Sequence, residues 1–159
     1  MANYNVTLSK TLAVPLLEPE RAAGFTHKFT IPFSTVAVST ATTATDTVTV
    51  TLCSTPAFFA VKSGLGIVRT AFAGTTALTV TVGTAGSAAA ILPSTTVLSG
   101  SVIQPTTGFG NVATPGSTFA TAATTIVAVF TNATGGSPSA VTAGSLDVYL
   151  SLLDLSKIG

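Results

Sequence analysis

His27 and Cys53 are the only histidine and the only cysteine in a chain of 159 residues, so chemistry is sought there first. A thiol nucleophile needs a neighbouring base to hold it as thiolate, which a Cys–His pair can supply. Both residues fall in strand-like segments, however, and His27 alternates with Phe25 and Phe29. A structural histidine and a small buried hydrophobe account for them more simply. One imidazole and one thiol also fall short of a zinc ligand set. Paired carboxylates are the next resource for acid–base work. Glu18 and Glu20 flank Pro19 in the N-terminal region and diverge whether that segment is extended or helical. Asp147 and Asp154 are seven apart, on opposite faces of an ideal strand. Asp46 immediately precedes a strand and is expected to cap a turn. The stretch GTAGSAAA, Gly83 to Ala90, has the small residues of an anion nest without the lysine and helix of a phosphate loop. No catalytic, cofactor-binding or metal-ligating residue is assigned, no cofactor is expected, and the chain reads as a non-enzyme.

The remaining charge is thin. Charged residues make up 7% of the chain and hydrophobic ones 47%, against a usual charged share of roughly a quarter. Lys10, Arg21, Lys28, Lys62, Arg69 and Lys157 form no stripe, whereas phosphate-backbone binding needs converging cations. No direct nucleic-acid partner is expected. Thr, Ser, Pro and Gly interrupt every candidate apolar run, so no membrane span is expected either. MANYNVTLSK lacks the basic and apolar regions of a secretory signal, which points to synthesis in the cytoplasm. A single cysteine excludes an intramolecular disulfide framework. So little charge favours a protein that works in an assembly, because little repulsion keeps copies apart.

The elements that must position these residues are strands. In DTVTVTL, Asp46 to Leu52, Val48, Val50 and Leu52 alternate with threonines, a half-buried strand written in β-branched residues. ALTVTVG repeats the pattern with Leu78, Val80 and Val82 inward. FTHKFTIPF places Phe25, His27, Phe29 and Ile31 on one face and ends at Pro32. A short strand over Phe58 to Val61, then a separate one in LGIVRTAFAG with Val68, Thr70 and Phe72 on one face, are expected. Short strands near Ala89 to Leu92 and Val97 to Ile103 follow, and Gln104 to Ser117 reads as a loop. TTIVAVFTN and SLDVYLSLLDL close the chain, the second with Leu146, Val148, Leu150 and Leu152 inward and Asp147 on its polar face. NATGGSPSAVTAG between them reads as a hairpin connection. Seven or eight strands without a crossover helix indicate one all-β sandwich or barrel over residues 25–159. Residues 1–24 read as an N-terminal arm with a helical turn near Pro19 to Ala23.

Three segments in order, DTVTVTL, GIVRTAFAGTTALTVTVGTAG and TTIVAVFTNATGGSPSAVTAGSLDVYLSLLDLS, carry a family resemblance. Across Thr45 to Leu155 the chain resembles the capsid decoration, or cement, proteins of tailed bacteriophages. The resemblance departs in the alanine- and threonine-rich middle, Ser87 to Thr125. It implies an antiparallel jelly-roll sandwich that assembles as a homotrimer on the virion exterior, bridges major capsid proteins and uses no cofactor. Other virion roles, such as a head-fibre base, a minor capsid protein or a tail-associated protein, fit the same fold. A carbohydrate-binding sandwich would show several aromatics, and this chain has no Trp and only Tyr4 and Tyr149. Within the decoration reading the expected contact residues are Leu12, Leu16 and Leu17 of the arm, Phe109 in the GFG loop, and Phe59, since adjacent strand aromatics face opposite ways. Each leucine, fully buried on a partner, would contribute about 1.5–3 kcal/mol before ordering costs.

Overall fold

The computed structural model describes residues 2–7, 15–43, 45–104, 122–132 and 136–154. They form an all-β domain of two packed sheets. Sheet A joins β1 (Asn3–Thr7), β3 (Thr47–Thr55), β8 (Thr124–Asn132), β5 (Leu78–Thr84) and β6 (Ser87–Thr96), in that order. Sheet B joins β2 (His27–Pro32), β9 (Ala143–Asp154), β4 (Phe59–Ala73) and β7 (Val102–Ile103). The helices among the described residues are single turns, α1 (Glu18–Ala22) and α2 (Phe33–Val36), with a 3₁₀ turn at Pro138–Ala140. None is long and apolar enough to cross a membrane.

The pairing is nested. β2 lies antiparallel to β9, β3 to β8, β4 to β7 and β5 to β6, as though one long hairpin with its tip between β5 and β6 had been rolled up. Rolling brings β9 beside β4 and β8 beside β5, which completes each sheet. The alternating valines and leucines then fall between the layers. Val48, Val50, Leu78, Val80, Ala128 and Phe130 of sheet A, at most 1% exposed, meet Ile31, Leu146, Val148 and Leu150 of sheet B, all fully buried. Phe72 and Phe130 join the sheets directly, with ring centroids 5.7 Å apart. Burial at this density, not strand propensity, fixes which face of each strand turns inward.

Several local expectations give way to tertiary structure. Phe59 to Ala73 is one fifteen-residue strand, where two were expected around Lys62–Gly64. Its pairing with β9 shifts register between Val61 and Ser63 and again after Val68, and such bulges keep a long strand paired while it bends. The second shift leaves Thr70 exposed, off the face that Val68 and Phe72 share. Gly64 lies in β4 because a side chain there would collide with Ile91 of β6 across the core. The segment after β8 is a crossing from sheet A to sheet B and not a hairpin connection, since β8 and β9 belong to different sheets. Asn3–Thr7, placed in the arm by the sequence, adds β1 to the edge of sheet A, parallel to β3.

Candidate functional site

Strand alternation turns Lys28 and Thr30 of β2 and Asp147 and Tyr149 of β9 to the outer face of sheet B. Register sets Thr30 opposite Asp147 and Lys28 opposite Tyr149. Arg69, beside a bulge of β4, joins them from the other side of β9. An outer sheet face is ordinarily wet, yet Asp147 is 5% exposed and Tyr149 only 3%. Residues just before β2 cover them. Phe25 packs on Tyr149 with ring centroids 5.4 Å apart, away from the His27 face where the sequence had put it.

Glu20 fastens this cover. Its Oε2 accepts the Leu17 backbone N–H at 2.7 Å, closing the N-terminus of α1, while Pro19 sits within the first turn, where its missing N–H costs nothing. Its Oε1 accepts hydrogen bonds from Lys28 Nζ at 3.0 Å and from the Tyr149 hydroxyl at 2.9 Å. Tyr149 in turn accepts from Arg69 Nη2 at 2.8 Å, and Lys28 Nζ lies 5.1 Å from the centre of its ring. Asp147 accepts from Thr30 Oγ1 at 2.6 Å and from Arg69 Nε at 2.8 Å, with Lys28 Nζ at 3.6 Å. Two acids and two bases thus neutralise one another around a single phenol.

Each of the four groups is displaced toward its charged form. The Leu17 N–H, then Lys28 and Tyr149, bring Glu20 down to about 2 against the cost of desolvation. Burial alone would raise Asp147, but the Thr30 and Arg69 hydrogen bonds and the two cations hold it below the usual carboxylate range. Desolvation would lower Lys28, and its bonds to Glu20 and Tyr149 with the charge of Asp147 raise it instead. Arg69 is raised by its bonds to Asp147 and Tyr149. Each group is thus shifted toward the ionised form that its partners bind.

A second fastening holds the chain's start. Asp46 Oδ1 accepts the Ala2 N–H and Oδ2 the Thr43 N–H, each at 3.1 Å, so the expected turn cap also anchors β1. Asn3 Oδ1 accepts from Thr47 and Thr49, and the Tyr4 hydroxyl donates to the Thr40 carbonyl at 2.8 Å.

His27 and Cys53 do come together, at one end of the sandwich. They line a cleft of about 290 Å³ with Pro56, Phe59, Leu152 and Asp154. His27 stacks on Phe29 with centroids 6.2 Å apart, and its Nδ1 lies 2.8 Å from Thr26 Oγ1. Desolvation lowers His27 and lifts the Cys53 thiol to about 11, so the imidazole is neutral and the sulfur protonated near pH 7. That is the reverse of an activated pair. Among the described residues no group of three or more His, Cys, Asp or Glu is arranged to hold a metal ion.

The expected contact residues separate. Leu17 is 64% exposed beside α1 and Leu16 is half-buried, while Leu12 and Phe109 lie outside the described residues. Phe59 is a core residue at 4% exposure, and its neighbour Phe58 is the outward member of the pair at 54%. Phe58 holds a φ of 59°, unusual for a bulky side chain, in the crossing from β3 to β4. Sequence reasoning missed the cluster of Glu20, Lys28, Arg69, Asp147 and Tyr149 as a unit. Its one available signal was Asp147 and Tyr149 alternating on the outer face of β9.

Comparison with protein-family models, with curated proteins and with solved structures finds no match to this chain.

Proposed function

We propose that this chain is a non-enzymatic structural protein that decorates the outer surface of a bacteriophage capsid and stabilises contacts between major capsid proteins. The observation that carries the reading is where the charge goes. In a chain with 7% charged residues, Glu20 ties the N-terminal segment to Lys28 and Tyr149 of sheet B, and Asp147 and Arg69 brace those two partners from within the sheet. That is an investment in positioning an arm. A positioned arm with the exposed Leu17 beside it suits a protein that grips a neighbour.

The finer fold assignment belongs to the same proposal. With β1 set aside, the eight remaining strands pair first with last, second with seventh, third with sixth and fourth with fifth. This order supports a jelly roll, a fold used by capsid proteins among others. Leu16, Leu17 and Phe58 are the described side chains that would meet the shell, Phe58 replacing Phe59. Homotrimeric assembly is the arrangement that the resemblance implies, and the low surface charge favours association.

The test is titration of the purified protein onto icosahedral phage heads stripped of accessory proteins. Saturable, stoichiometric binding that raises the temperature at which heads release DNA supports the reading. Heads left bare at micromolar protein would end it.

A further inference from the structure

We infer that the cleft at the His27 end of the sandwich is a binding site for a small, neutral aromatic molecule that carries one hydrogen-bonding group. The site is independent of the capsid reading, and either can fail without the other.

The cleft is the mouth between the two layers. Cys53 and Thr55 stand at the end of β3 in sheet A, while His27 at the start of β2 and Leu152 and Leu153 at the end of β9 belong to sheet B. Phe59 opens β4 just after the chain crosses between the sheets. Strand ends of both layers therefore form the walls, and ligand sites recur at such mouths. Phe59 is a core residue and Leu152 packs against the core, so the apolar part of the wall is fixed. An apolar cavity of about 150 Å³ already takes up benzene. The cleft, at about 290 Å³, has room for one ring with a small substituent.

His27 supplies the polar contact, and it is oriented before a ligand arrives. Its ring stacks on Phe29 at an interplanar angle of 9°. Its Nδ1 meets Thr26 Oγ1 at 2.8 Å, and that oxygen accepts the Leu152 N–H at 2.8 Å and lies 3.2 Å from the Leu150 carbonyl oxygen. With Nδ1 engaged, Nε2 is the ring nitrogen left to meet a ligand. An imidazole already held in one orientation needs little further ordering on binding. Thr55 does not compete for that contact, because its hydroxyl donates to the Thr124 carbonyl at 3.1 Å.

The lining selects against charge. Desolvation moves both His27 and Cys53 toward their uncharged forms, so neither offers a counter-charge. Asp154, the acid in the lining, is already engaged within the chain. A charged ligand would lose hydration without compensation, whereas a neutral ring displaces water from Phe59 and Leu152 without that cost. A ring hydroxyl suits Nε2 in either tautomer, since it both donates and accepts.

Phenol is the probe. His27 is the only histidine and Cys53 the only cysteine of the chain, so each reports on the cleft without ambiguity. Phenol titrated into the native protein should shift the His27 ring-proton resonances saturably in the millimolar range. It should also lower the pH midpoint of the imidazole further, because the bound hydroxyl favours the neutral ring. At ten times the binding midpoint, Cys53 should react with maleimide about tenfold more slowly. Toluene should bind more weakly than phenol, and benzoate should leave the resonances in place. Cys53→Leu and Leu153→Trp fill the cleft and should each weaken phenol about tenfold or more, since the added atoms occupy the space of the ring. Leu153 is an exposed position, so Leu153→Trp keeps the test decisive should Cys53→Leu fail to fold. His27 resonances that drift linearly with phenol, a saturable shift that survives in the folded filled variants, or benzoate binding as tightly as phenol would each overturn the inference.

Discussion

Two places among the described residues gather titratable side chains, and they treat them in opposite ways. On the outer face of sheet B, Glu20 and Asp147 are driven down and Lys28 and Arg69 up, each toward its ion. In the cleft at the end of the sandwich, His27 is driven down and Cys53 up, each toward its neutral form. Partners explain the difference. Every ion of the cluster has an opposite charge or a hydrogen-bonding phenol within reach, whereas desolvation acts alone on the cleft pair. A Cys–His pair is the more suggestive signature in a sequence, yet it is the charged cluster that organises the structure. Direction of displacement distinguishes the two groups better than residue type does.

Removing the centre of the cluster should have the largest effect. Asp147→Ala strands Lys28 and Arg69 without their shared acceptor and should cost about 3 kcal/mol, the low end for a broken buried pair because Arg69 is half exposed. Thermal unfolding should then fall by roughly 6–12 °C, a shift that scanning calorimetry reads directly. Glu20→Ala should act locally. Proteolysis before Phe25 should quicken while the global midpoint moves little, since Glu20 joins only α1 to the sheet.

Acid should reproduce that release. A carboxylate whose folded pKa is depressed contributes stability that is fully present above its unfolded value and lost as pH falls through the folded one. For Glu20 the window runs from 4.5 down to about 2, and Asp147 shifts in the same direction. Arm proteolysis by an acid-active protease should therefore rise between pH 4 and pH 2 in the native protein and stay flat in Glu20→Ala. The cleft predicts the smallest change. Cys53→Ala should cost no more than about 1 kcal/mol. With its pKa near 11, the native thiol should react with maleimide at pH 8 about two orders of magnitude more slowly than a free cysteine.

What the sequence discloses follows from the range of each interaction. Val48, Val50 and Leu52, or Leu78, Val80 and Val82, announce their strands because period-two alternation is local and the core rewards it. The same rule assigns Asp147 to a polar face and stops there. Whether that face is wet depends on a segment more than a hundred residues earlier folding over it, and no spacing records this. Glu18 and Glu20 look equivalent two residues apart, but a single helical turn gives Glu20 the Leu17 cap and turns its second oxygen to Lys28. Lys62–Gly64 reads as a break because polar and glycine residues usually mark turns, while here bulges absorb the irregularity and Ile91 requires the glycine. Likewise, the connection after Asn132 has the composition of a hairpin tip, and only the partners of β8 and β9 make it a crossing between sheets.

Amide hydrogen exchange across Leu17–Phe25, in the native chain and in Glu20→Ala, tests most directly whether the cluster exists to hold the arm. The amides of Glu20, Arg21 and Ala23, bonded to the Leu17 and Pro19 carbonyls, should be protected in the native protein. In the variant they should exchange at unstructured rates while β3 and β8 keep their protection. Equal protection of α1 in both proteins would contradict the account, because the arm would then be held by something other than Glu20.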